Sequence, residues 1–171
     1  SQGNLIFQAS AFKEELSTID INSKESLELT TCEEIEQLYN ALIFGIREYF
    51  RRLNFKRAYI GLSGGIDSAV VACLAVAALG KGNVIGVTMP SEITSRETLS
   101  DAQLLAKNLA ITCHSRSIKN EYSAWEADFI RYNKTDPQPL TKQNKQARIR
   151  GAILMEYTNE DRASLVLSTG N

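Results

Sequence analysis

The 171-residue sequence is sparing with the residues that many enzymes rely on. It has one histidine, one tryptophan, three prolines and three cysteines. His114, in the strand-like run TCHSRS, reads as a structural residue rather than a catalyst. Cys32, Cys73 and Cys113 are unpaired by count and lack the spacing of a metal site. Cys73 and Cys113 lie inside apolar runs and are expected to be small buried residues in a reducing compartment. A net charge of −1 gives no bulk attraction to nucleic acid. No signal peptide is evident and no run reaches about 18 apolar residues, which together predict a cytoplasmic protein without a membrane anchor.

What is present is ordinary globular composition, with 43% hydrophobic and 23% charged residues in a length suited to one domain. Residues 5–21 read as extended segments and 22–31 as a polar linker, which sets residues 1–30 apart from 31–171. TCEEIEQLYNALIFGIREYFRRLN (31–54) carries a helix signature. Thr31 and Glu34 form a capping-box pattern, and Ile35, Leu38, Leu42, Ile46 and Phe50 recur at helical spacing. The arginines at its end suit the helix dipole, and the basic group Arg47, Arg51, Arg52, Lys56 and Arg57 reads as solvated surface. Further strands are expected at 57–62, 83–89, 111–118 and 163–170. Helices are expected at 66–79, 96–110 and 143–159. The stretch 121–142 is polar, holds Pro137 and Pro139, and shows low periodicity. Apolar strands alternating with helices predict an α/β fold, a Rossmann-like open parallel sheet with helices on both faces. Ligands in such sheets bind at the carboxyl ends of the strands.

YIGLSGGIDSAV (59–70) lies at one of those ends. A strand delivers the chain to Ser63-Gly64-Gly65 and a helix begins at once. Unsatisfied N–H groups and a positive dipole end favour an anion there. The glycines remove Cβ atoms that would block its approach, and Ser63 and Ser68 bring hydroxyls. The turn lacks the lysine of a Walker A loop. An acid facing bound phosphates makes sense with a cation between them, which predicts Asp67 as a Mg²⁺ ligand. The bland reading is a tight strand–helix connection. A chance S-G-G-x-D-S has odds on the order of one in several thousand in a chain of this length.

SGGIDS resembles the pyrophosphate-binding loop of the ATP pyrophosphatases, the superfamily of GMP synthetase, asparagine synthetase, tRNA-thiolating enzymes and NAD synthetase. Three further stretches are similar to the NAD synthetases: GVTMPSEITSRETLSDAQLLAKNLAI (86–111), NKQARIRGAILM (144–155) and LVLSTGN (165–171). The resemblance covers residues 33–171. LYNALIFGIREYFRRLNF resembles the helix that leads into the synthetase domain of the glutamine-dependent form, and IFQASAFKEELSTIDI the tail of its nitrilase-like glutaminase domain. Lys142 and Gln143 depart from the family, which has acidic residues there, and Lys145 stands where an apolar residue is usual. The family places a Mg²⁺-binding Glu, and further substrate-contacting residues, beyond the last residue of this sequence. The resemblance therefore implies a synthetase domain truncated at its C-terminus.

The resemblance also implies roles. Gly61, Leu62, Ser63, Gly64, Gly65, Ile66, Asp67 and Ser68 would hold ATP, with Asp67 on Mg²⁺ and Ser63 and Ser68 beside it in the catalytic cradle. Val87, Thr88 and Met89 would line the adenine pocket, with plain core packing as the bland alternative for Met89. Thr169 would contact ATP. Asn144, Arg148 and Arg150 would bind deamido-NAD, Asn144 and Arg148 sharing a helix face. Residues 91–98 read either as a lid over ATP or as a loop that caps the next helix. The implied reaction amidates deamido-NAD to NAD with ATP, ammonia or glutamine, in a homodimer. The alternatives are a nucleotide-binding fragment without turnover, and another ligase of the GMP synthetase or tRNA-thiolation type. A thiolase would show an activated cysteine pair, which is missing here.

Overall fold

The computed structural model describes residues 4–22, 26–30, 33–91 and 96–169. Its centre is a four-stranded sheet of β1 (Arg57–Gly61), β2 (Val84–Thr88), β3 (Thr112–Ser115) and β4 (Ser164–Val166). The spatial order is β3-β2-β1-β4 and every neighbouring pair is parallel. This is the open α/β sheet that the sequence predicts.

Alternation along β1 sends its side chains to two separate cores. Ile60, and Leu62 just beyond the strand, pack with Val84 against α2 (Ile66–Leu79) and α3 (Arg96–Asn108). Tyr59 packs with Val87 and Met89 against α5 (Pro139–Glu160) on the opposite face. Small residues let α2 approach the sheet closely, since Ala72, Ala75 and Ala78 are its buried alanines. Gly86 serves the same close packing, because a Cβ there would lie 2.5 Å from Leu62 Cδ1.

A further helix, α1 (Glu34–Arg52), forms an outer layer on α2. Its Arg47 donates from Nε to the carbonyl of Ala78 at 3.2 Å. That places a cation at the C-terminal end of α2, where the dipole favours one. The residue before α1 is Glu33, which makes no side-chain cap; Thr31, the expected cap, lies outside the described residues.

Strands β1, β2 and β3 are laid down stepwise to one side, and the chain then returns past β1 to place β4 on its far side. The reversal falls between β1 and β4, and their carboxyl ends open the crevice where such sheets bind ligands.

Three expectations need correction. The polar stretch 121–142 is largely helical: α4 spans Lys119–Asn133, and α5 begins at Pro139 rather than 143. Proline at the first helical position costs nothing, because its missing N–H would have no partner there. Helix α4 docks on α5 and carries the aromatic row Tyr122, Trp125 and Phe129, with centroids 5.5 and 5.6 Å apart. Cys73 is exposed rather than buried, since α2 is apolar around its whole circumference and periodicity cannot mark its inner face. Residues 5–21, read as extended, form no strand; Leu27 N–H bonds the carbonyl of Leu5, and Gln8 pairs with the backbone of Thr30. Cys32 and residues 92–95 of the expected lid lie outside the described residues.

Candidate active site

The crevice at the reversal point holds a cavity of about 750 Å³, within the range of small-molecule sites. Its walls come from five places in the chain, one of them Thr98, Leu99 and Ala102 of α3. Gly61 ends β1 with Leu62 and Ser63 just beyond it, Thr88 ends β2 with Met89 just beyond it, and Ser168 and Thr169 follow β4. Gln146 and Arg150 reach in from α5.

The glycine turn is fixed by its two serines. Ser68 is buried, and its hydroxyl donates to the carbonyl of Gly65 at 2.9 Å and accepts the Ser63 N–H at 3.3 Å. The Ser63 hydroxyl accepts the Gly65 N–H at 3.2 Å and lies 3.2 Å from Ser68 Oγ. Ser68 thus shapes the cradle from beneath, while Ser63 faces the cavity. Gly64 has a φ of +79°, and a Cβ on it would collide with the carbonyl oxygen of Thr98 at the start of α3. Glycine is needed there for both its backbone angle and its lack of bulk.

No side chain caps the N-terminus of α2. Its first N–H groups are therefore open to an anion, and the dipole adds to the attraction. Ile66 and Asp67 are exposed in that first turn. The described residues contain no cluster of three metal-ligating side chains, at Asp67 or elsewhere. One carboxylate fits Mg²⁺ whose other ligands are phosphate oxygens and water.

The remaining expected residues divide. Thr88 is buried, with its hydroxyl on the His114 carbonyl at 3.3 Å. Met89 belongs both to the core and to the cavity wall. Gly61 is backed closely by Met89 and Leu154, whose side chains would lie 3.2 and 3.3 Å from an added Cβ. Val87 is fully buried in the core and its side chain does not line the cavity; its carbonyl accepts the Leu62 N–H at 2.9 Å. On α5, Asn144 and Arg148 are exposed outside the cavity, whereas Arg150 lines it. Burial pushes the Arg150 guanidinium below its usual pKa. Gln146 was not foreseen, although it stands one turn before Arg150 with Leu154 one turn beyond, a spacing that marks a shared face.

Residues 38–171 match the family model for NAD synthase. The chain belongs to the NAD synthase family. The glutamine-dependent NAD(+) synthetase of Synechocystis is 38% identical over 177 residues, which take in all of this chain and 32% of that protein. The namesake from Aquifex aeolicus is 46% identical over 138 residues, or 81% of this chain and 24% of that protein. Among solved structures, a glutamine-dependent NAD+ synthetase from Acinetobacter baumannii in complex with ADP superposes with a TM-score of 0.81 at 34% identity. That match covers 86% of this chain and 28% of the other. The chain spans a third or less of the length of these relatives.

Proposed function

We propose that this chain supplies the ATP-handling site of an enzyme that amidates deamido-NAD to NAD. The observation that carries the reading is the uncapped N-terminus of α2 behind Gly64 and Gly65, set beside a cavity shared with Thr169 and the end of β2. The Acinetobacter family member, solved in complex with ADP, supports a nucleotide in this fold.

In the proposed reaction the carboxylate of deamido-NAD, ionised at neutral pH, attacks the α-phosphorus of ATP. The bond to the bridging oxygen breaks, pyrophosphate leaves, and an acyl-adenylate forms. Ammonia then attacks the acyl carbon, loses a proton, and displaces AMP. The first step requires positioning and charge neutralisation rather than a general base. The N–H groups at the start of α2 and the Ser63 hydroxyl hold the departing diphosphate. Asp67 would hold Mg²⁺, which would offset the phosphate charge. Thr88 and Met89 lie on the adenine side, Thr169 meets ATP from β4, and Asn144 and Arg148 present an outward surface to deamido-NAD. Free ammonia or glutamine serves as nitrogen source, in a cytoplasmic homodimer. Residues 1–30 are the tail of a glutaminase domain and its linker.

The chain, incubated with Mg-ATP, deamido-NAD and ammonia, is expected to yield NAD and AMP in equal amounts. Asp67→Asn is expected to lower that rate at least about 100-fold while leaving the melting temperature within about 2 °C, since Asp67 is exposed. AMP formed only with a different acceptor would point to another ligase of the superfamily. ATP bound without AMP release would mark a binding module.

A further inference from the structure

Among the residues lining the cavity, Arg150 is the one that carries a charge. Its Nε donates to the Met89 carbonyl at 3.2 Å and its Nη2 to Gln146 Oε1 at 3.4 Å. It has no carboxylate partner among the described residues, in contrast to Arg57, Arg116 and Arg131, which all pair with acids. A half-buried guanidinium with neutral neighbours is costly to hold unless an anion completes it.

Its surroundings fix its position. Gln146 lies close to the Tyr122 hydroxyl, which donates to Glu126 Oε1 at 3.2 Å, and Glu126 pairs with Lys142 at 2.8 Å. This polar chain runs from α4 through α5 to the end of β2. It leaves part of the guanidinium fork for a ligand and limits the freedom lost on binding.

We infer that Arg150 is the cation that grips the α-phosphate of the nucleotide, with Gln146 as its positioning residue. The inference rests on the proposed function and moves Arg150 away from the deamido-NAD role that the family resemblance implies. The cradle at β1 takes the leaving diphosphate, and the end of β2 takes the adenine side. Arg150 is tied to the last carbonyl of that β2 segment and faces the same cavity, so the phosphate between adenine and diphosphate falls to it. Asn144 and Arg148 point elsewhere. During the first step this guanidinium meets the phosphate that gains charge as the carboxylate adds, and the planar fork suits two of its oxygens.

Equilibrium binding of adenosine, AMP, pyrophosphate, Mg-ATP and deamido-NAD to the chain, its Arg150→Gln and its Arg150→Lys variants tests this. Arg150→Gln is expected to weaken AMP by about tenfold or more and to leave adenosine and pyrophosphate unchanged. Arg150→Lys is expected to recover part of the AMP affinity, which a folding defect would not allow. Gln146→Leu is expected to weaken AMP by a smaller factor with the same selectivity. Equal loss for AMP and adenosine, or a loss confined to deamido-NAD, would overturn the assignment. A wild-type chain that binds no Mg-ATP would instead overturn the proposed function.

Discussion

At the scale of single residues, Gly64 and Gly65 look interchangeable in the sequence but do different work. Gly64 sits at a φ of +79° against the Thr98 carbonyl, whereas Gly65 has a φ of −85° and a Cβ there would meet only Ser63 Oγ at 3.3 Å. Gly64→Ala is expected to cost about 1–3 kcal/mol, lowering the melting temperature by roughly 2–10 °C for a chain of this size. Gly65→Ala is expected to cost well under half of that. Equal shifts in thermal unfolding would refute the distinction. Ser63, Gly64 and Gly65 were legible as a cradle because type and spacing alone dictate backbone donors at a helix start. The division between Ser63, open to the cavity, and Ser68, buried beneath the turn, was not legible. It depends on which side of the first helical turn each hydroxyl faces.

At the scale of elements, one contact ties the start of the sheet to its last crossover. Arg57 on β1 grips Asp161, just beyond α5, donating from Nε and Nη2 to its two carboxylate oxygens at 2.5 Å. The hydrogen bond from Arg57 holds the Asp161 carboxyl below the usual range. A lowered folded-state pKa stabilises the fold fully above the unfolded value, near 3.9, and that stabilisation disappears as pH falls through the lowered one. Asp161→Asn is therefore expected to melt below the parent at pH 6, with the gap closing toward pH 3. A gap independent of pH would show that the ion pair contributes nothing. Helix α2 was legible to the residue, because glycine bounds it on both sides. Helix α4 was not, since its polar majority and the nearby prolines hide an aromatic row that makes sense only once α5 lies alongside.

At the scale of the whole molecule, sequence order alone separates the pieces of the cavity by more than a hundred residues. The glycine turn and Thr169 meet because β4 returns to pair with β1, and apolar strand composition foretold the sheet without foretelling that pairing order. The contribution of α5 to the cavity was half legible: Arg148 and Arg150 stood out as charges, but only packing turns one outward and the other in. The chain contains one tryptophan. Trp125 lies beneath the Lys145 ammonium at 5.7 Å and packs at a tilt against Tyr122, which lies close to Gln146. Its fluorescence is thus wired to the cavity without any label. Adding AMP is expected to change its emission in the parent and much less in Arg150→Gln, and an identical response from both would cut that wire. The lone indole makes this fold its own optical gauge of occupancy.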